Sequence, residues 1–302
     1  MKEVVSVSLG SSSRDHIAET EFLGEKFKIQ RIGTDGDFKK AIRTLKTLDG
    51  SVDAIGLGGI DLYFWAGGKR YPVRDGLKLQ RAVRRTPVVD GSGLKNTLER
   101  EAVRYLVNEA GLDLSGKRVL MVAAVDRFGL AEALVEQGCR MTFGDLVFGL
   151  GLPFPMRSFS TFVAVAKILL PVVTRMPFKI LYPTGSKQDQ EPAKKYRKYY
   201  EDADIVAGDY HLIRKYMPAE MAGKWVITNT VTEEDVRMMR QRGVAKLVVT
   251  TPNLEGRSFG TNVMEATLVS MVEKPWADVV PDDYSELIKK LDLKPRIEDL
   301  AV

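Results

Sequence analysis

Cysteine and histidine are nearly absent: 302 residues hold one cysteine, Cys139, and two histidines, His16 and His211. A single thiol excludes an intramolecular disulfide and a cysteine-rich metal centre. His16 and His211 stand far apart and no carboxylate spacing completes a ligand set, so no metal is expected. Cys139 falls between an expected helix and strand, where a thiol is ordinarily a small buried hydrophobe. Long apolar runs are missing too. The nearest, Thr161 to Met176, is short and broken by Lys167, Pro171 and Arg175, so no membrane span and no membrane contact are expected. The start, Met1-Lys2-Glu3-Val4-Val5-Ser6-Val7, reads as a strand and not as a signal peptide, which makes a cytoplasmic protein the expectation. The net charge of +5 is too small an excess to imply nucleic acid. Lys194-Lys195-Tyr196-Arg197-Lys198-Tyr199-Tyr200 mixes bases and aromatics, but at helical spacing before Glu201-Asp202 it reads as a solvated face.

What is present is an alternation of strands and helices. Val4-Leu9 is an apolar strand ending in Gly10-Ser11-Ser12-Ser13, and Phe27-Ile32 is a second. Phe38, Ile42 and Leu45 give 37–48 helical spacing. Val52-Leu57 closes in Gly58-Gly59, and Pro87-Val88-Val89 ends in Asp90-Gly91. A helix over 94–110 leads to the strand 117–122, the loop 123–129, a helix to Gln137 and the strand Arg140-Phe143. Further strands are expected at 179–182, 204–207, 225–228 and 246–250, with helices at 233–242, 261–273 and 282–291. The pattern implies an α/β protein of two domains. Residues 1–93 form an open α/β sheet, which helices within 261–302 complete. Residues 94–275 form a Rossmann-like doubly wound parallel sheet.

Asp90-Gly91-Ser92-Gly93-Leu94, followed by Leu98-Glu99-Arg100, resembles the Asp-Gly-x-Gly-Leu segment that joins the two domains of shikimate and quinate dehydrogenases. Ser11-Ser12-Ser13-Arg14 resembles their Ser-x-Ser carboxylate-binding motif. Element order is similar over about residues 1–275. The resemblance implies an NAD(P)-dependent oxidoreductase for a small hydroxy or keto acid held between the domains, with Asp90 catalytic. The chain departs from the family in having Val88-Val89 before that aspartate and no recognisable Asn-Val-Thr-x-Pro-x-Lys motif, so the lysine role falls to Lys95 or Lys69. Gly58-Gly59, Lys95-Asn96-Thr97 and residues 111–115 are loosely similar to the aldehyde-forming fatty acyl carrier-protein reductases, which implies a long-chain acyl or other apolar substrate instead.

The residues carry these readings unequally. In the loop Ala123-Ala124-Val125-Asp126-Arg127-Phe128-Gly129 only the third expected glycine, Gly129, remains, to pack helix on strand. Asp126 stands at the second glycine's place, where a carboxylate about 4 Å from a phosphate costs roughly 4 kcal/mol at an effective dielectric near 20. Arg127 can offset it, or Asp126 can turn away as a helix cap. A dinucleotide, another anion and no nucleotide all stay open. Asp145 past the next strand suits a ribose diol and favours NAD over NADP, and Thr228 ends a later strand near the same edge. Catalysis is assigned to Asp90 with Lys95 or Lys69, a lysine of lowered pKa taking the hydroxyl proton. Substrate binding is assigned to Ser11, Ser13, Arg14 and Asp61. The apolar stretch 146–178 reads as a crossover helix or homodimer interface, or as a surface for an apolar substrate rimmed by Arg157, Lys167, Arg175 and Lys179. Three functions follow: a small hydroxy-acid dehydrogenase, a non-catalytic nucleotide- or anion-binding protein of the same fold, and a reductase for an apolar substrate.

Overall fold

The structure, a computed structural model, describes all residues except Leu23, 178–193, Pro252, Glu255, Gly256, Phe259 and Val302. The strand expected at 179–182 lies outside the described residues. The rest folds into two α/β lobes, each built on a mainly parallel sheet.

The first sheet has the order β2-β3-β1-β4-β7, formed by β1 (Lys2–Ser8), β2 (His16–Phe22), β3 (Glu25–Gly33), β4 (Ala54–Gly58) and β7 (Val88–Val89). All pairs are parallel except β2 with β3. Alternation along the strands explains why helices cover both faces. Val5, Val7, Ile55 and Leu57 point to one side, against Ala41 and Leu45 of α1 (Phe38–Leu48) and Leu79 of α2 (Arg74–Gln80). Val4, Phe27, Ile29 and Ala54 point to the other. Strands apolar on both faces are those of a parallel sheet clad on both sides. Between β4 and β7 the chain makes a hairpin of β5 (Tyr63–Ala66) and β6 (Lys69–Pro72).

The second sheet, among the described residues, runs β15-β12-β11-β10-β8-β9. Its strands are β8 (Arg118–Met121), β9 (Arg140–Phe143), β10 (Ile205–Gly208), β11 (Trp225–Thr228), β12 (Lys246–Val249) and the antiparallel β15 (Arg296–Asp299). Among the described residues the parallel strands of this lobe stand side by side as β9-β8-β10-β11-β12, a doubly wound arrangement that leaves the expected strand 179–182 out of the count. Val119, Met121, Ile205, Ala207 and Ile227 face α4 (Phe128–Glu136) and α5 (Phe159–Val173). Leu120, Val122, Val206, Val226 and Leu247 face α6 (Lys194–Glu201), α7 (Tyr210–Tyr216) and α8 (Glu233–Gln241). A two-stranded ribbon, β13 (Asn253–Leu254) and β14 (Arg257–Ser258), follows β12.

The lobes are laced together. α3 (Ser92–Asn108) starts beneath the first sheet, where Leu94 and Leu98 are buried, and ends in the second core with Val103 and Leu106. After the second sheet the chain returns as α9 (Thr261–Met271) and α10 (Pro281–Lys290), whose Val263, Met264, Leu268, Tyr284 and Ile288 finish the first lobe's core. It then crosses again to lay β15 beside β12. The β5–β6 hairpin reaches over in turn: Trp65 N donates to Val125 O at 3.4 Å, and Arg74 N, just beyond it, donates to Thr174 O at 2.9 Å. Among the described residues no helix is long and apolar enough to cross a membrane.

Candidate functional site

In an open parallel sheet, polar residues following the strands gather at the C-terminal edge, where ligands bind. Both lobes turn that edge toward the junction. From the first lobe come Asp61, past β4, and Asp90, past β7. From the second come Asp126 past β8, Asp209 past β10 and Asn229 past β11.

Lys95, in the second turn of α3, joins the two. Its ammonium lies 3.1 Å from Asp61 Oδ1 and 2.9 Å from Asp126 Oδ1. Burial opposes the charge, but Asp126 and Asp61 outweigh burial, and Lys95 is held above the ordinary lysine value. The sequence sets this lysine with Asp90 as a proton carrier; in the structure its ammonium pairs with Asp61 and Asp126. Arg127 is the second hub. It pairs with Glu99 at 2.5 Å, Asp209 at 3.2 Å and Asp126 at 3.3 Å, fully inside the protein. Asp209 Oδ2 also accepts from Asn229 Nδ2 at 3.1 Å. Burial works against the Asp126 carboxylate, yet Lys95 and Arg127 together draw it down to about 2. Burial raises Glu99.

Asp90 does not meet a lysine. Its Oδ2 accepts from Leu62 N at 2.7 Å and from the Ser92 hydroxyl, and its Oδ1 accepts from Ser92 N at 3.2 Å. It thereby fixes the start of α3. Gly91 beside it has φ 95°, and a Cβ there would lie 2.8 Å from Asn262 N, so glycine is required twice over. Gly91 N donates to Glu265 Oε2 at 2.6 Å, and Tyr284 Oη donates to Glu265 Oε1 at 2.8 Å. Burial, then the Asp90 charge, push Glu265 up to about 7. Lys69 is exposed on the hairpin, 5.5 Å over the Tyr71 ring, and is not brought to Asp90. Ser11, Ser13 and Arg14 are exposed on the loop after β1, with the two hydroxyls 2.7 Å apart. The guanidinium groups of Arg14 and Arg31 close around Gly10.

The supposed nucleotide loop is occupied by the protein itself. Asp145 Oδ1 accepts from Ala124 N at 2.9 Å and Val125 N at 3.0 Å, the donors a pyrophosphate would need. Asp145 is therefore not waiting for a ribose. Burial raises it to about 6, the two backbone donors notwithstanding. Ala123 is half-buried, and Phe128 is a core residue against Phe159 and Phe162. Gly129 packs helix on helix rather than helix on strand: a Cβ there would sit 2.4 Å from Asn96 O in α3. Thr228 turns inward and donates to Gly208 O at 2.8 Å. These residues do not fit NAD or NADP, and the cofactor expectation is corrected on that ground.

The motifs missed Glu99, Asp209, Asn229 and Glu265. Asp209 and Asn229 follow apolar strands just as Asp90 does, so the rule that found one would find all three. Glu265 is the sole acid in Val263-Met264-Glu265-Ala266-Thr267-Leu268-Val269, and an isolated acid in a buried helix is itself a signal. Among the described residues no cluster of His, Cys, Asp and Glu could hold a metal ion.

Three solved structures illustrate what this chain is similar to, each at low identity. A sugar ABC transport substrate-binding protein from Bordetella parapertussis 12822 is 13% identical, with a TM-score of 0.38 over 99% of this chain and 89% of its own. A periplasmic ribose ABC transporter from Conexibacter woesei DSM 14684 is 13% identical, with a TM-score of 0.37 over 99% and 92%. GanP, a glucose-galactose binding protein from Geobacillus stearothermophilus, is 10% identical, with a TM-score of 0.36 over 99% and 97%. With the loop filled by Asp145 and Lys95 paired with Asp61 and Asp126, the reading as an NAD(P)-dependent oxidoreductase is overturned. No curated protein matches the sequence. Residues 3–90 match the model of a domain of unknown function, DUF8753. Residues 93–300 match that of another, DUF8754, and the chain belongs to this family.

Proposed function

We propose that the protein binds a small molecule rich in hydrogen-bond donors, without transforming it, where the C-terminal edges of the two sheets face each other. One observation carries the reading: Lys95 touches Asp61 of one edge and Asp126 of the other within hydrogen-bond distance. Around it, six carboxylates (Asp61, Asp90, Glu99, Asp126, Asp209 and Glu265) surround two cations, Lys95 and Arg127. Such a wall offers acceptors in excess and favours a ligand that brings donors. Asp61, Asp126, Asp209 and Asn229 are half-buried, reachable from the junction's mouth. Ser11, Ser13 and Arg14 are assigned to the outer rim on the first lobe. The groups a catalyst would use are committed, Asp90 to the α3 turn and Lys95 to its carboxylates.

Monosaccharides are ligands of this class, and ribose and galactose are the first probes. Calorimetric titration is expected to give saturable heat with at least one of them, and thermal melts a rise of a few degrees at saturation. Asn229→Ala and Asp61→Asn are expected to weaken binding tenfold or more while the far-UV spectrum stays unchanged. Absence of saturable heat at millimolar sugar, or binding indifferent to both substitutions, would sink the proposal.

A further inference from the structure

Exposed apolar side chains are concentrated in one stretch. Among the described residues nine large apolar side chains are exposed, and five of them, Leu150, Leu152, Phe154, Ile168 and Val172, fall between 150 and 172. Phe154 is 64% exposed, Ile168 73% and Val172 61%, far beyond what a partly covered residue shows. α5 carries two of the five, Ile168 and Val172, and Leu150, Leu152 and Phe154 stand in the segment just before it. The helix turns Phe162, Ala166 and Leu170 into the core, where Phe162 stacks on Phe143 with ring centroids 4.7 Å apart. Its outer face holds Ala164, Ile168, Pro171 and Val172, the spacing of one helical stripe. A helix apolar on both sides has one side served by the core and a second that needs a partner.

The charges say which partner. Residues 146–188 contain five Lys or Arg and no Asp or Glu. Arg157, Lys167 and Arg175 are exposed, and none forms an ion pair with a described residue. The β5–β6 hairpin lies against α5, since a Cβ on Gly67 would meet Val163 and Lys167, and it adds exposed Lys69 and Arg70 beside them. Asp75, brought near the end of α5 by the Arg74–Thr174 hydrogen bond, is already paired with Lys78 at 2.8 Å.

We propose that this face docks on an anionic lipid bilayer, with Phe154, Ile168 and Val172 entering the headgroup boundary and Arg157, Lys167 and Arg175 meeting acidic headgroups. Apolar residues flanked by unpaired cations are the chemistry of an interfacial helix. A second copy of the chain on the same face would bring these cations against their own equivalents, with no carboxylate in the stretch to pair them. The inference is independent of the junction site.

The test is co-sedimentation of the full chain with phosphatidylcholine vesicles made with and without phosphatidylserine. The protein is expected to pellet with the phosphatidylserine vesicles at low salt, to be released at high salt, and to ignore phosphatidylcholine alone. Each of Arg157→Gln, Lys167→Gln and Arg175→Gln is expected to weaken partitioning about fivefold. Phe154→Ser combined with Ile168→Ser is expected to abolish it, with an unchanged circular dichroism spectrum. Failure to bind phosphatidylserine vesicles, or equal binding to both kinds, would overturn the proposal. A dimer in sedimentation velocity that Ile168→Ser dissociates, without vesicle binding, would give the face to a second copy instead.

Discussion

The loops that follow the first strand of each lobe solve one problem with the same device and opposite electrostatics. After β1, Ser12 N donates to Asp35 Oδ1 at 2.7 Å; after β8, Ala124 N and Val125 N donate to Asp145. In both, a carboxylate from elsewhere in the chain satisfies backbone donors that a bound anion could otherwise take. Asp35 is in water, so its hydrogen bond from Ser12 dominates and its carboxyl is lowered. Asp145 is enclosed, so desolvation dominates and its carboxyl is raised to about 6. The same contact therefore favours the charge in one lobe and tolerates it in the other, and burial decides the sign.

Breaking the second lobe's loop should have the largest effect. Arg127→Met leaves the buried Glu99 without its partner and takes one cation from Asp126 and Asp209, and a loss of about 3–5 kcal/mol is expected in urea unfolding. An equal loss with Glu99→Gln added would show that Glu99 is not what suffers.

The titration of Asp145 comes next. Its folded pKa of about 6 lies above the unfolded value of 3.8, so the folded state holds the proton more tightly. Stability from this group is full below about pH 4 and is lost as pH rises through 6, by about 3 kcal/mol at most. Asp145→Asn keeps an acceptor for the two amides and removes the titration. Its stability curve should converge with that of the unmodified protein near pH 4 and rise above it by pH 7. Parallel curves across this range would refute the account.

Asp126 runs the other way. Held at about 2 in the fold, it contributes stability above pH 4 that disappears as pH falls toward 2. The loss is about 2 kcal/mol, and an Asp126→Asn protein should have a correspondingly flatter acid limb. The smallest change is expected from Asp35→Ala: its carboxylate is exposed, and the melting midpoint should stay within replicate scatter.

Much of the fold was legible because its strands are apolar on both faces. Val4-Val5-Ser6-Val7 and Val119-Leu120-Met121-Val122 announce buried parallel strands, and the helices between them follow from spacing. β2 does not announce itself because it is an edge strand in which, among the side chains described, Ala18 alone is buried. The hairpin β5–β6 pairs two strands of four residues, too short to show a period in the sequence. The site was legible by position and not by role. Asp61, Asp90, Lys95, Asp126 and Arg127 do converge on the junction, yet which carboxylate would take Lys95 depends on how two separate sheets face each other. No local pattern carries that. Asp145 shows the limit most plainly. Its place after β9 is the ribose position of a familiar motif, and only its contact with Ala124 and Val125 shows that it fills the loop.

The return of α9 and α10 to the first lobe, and of β15 to the second, means that neither half owns all of its parts. A fragment ending after β7 would lack Val263, Met264, Leu268 and Ile288 over its sheet and present that whole surface to water. A fragment beginning at α3 would carry those helices with nothing to lie on. The halves should therefore aggregate when expressed singly and recover a native spectrum only when made together, and heating the intact chain should melt both lobes in one transition.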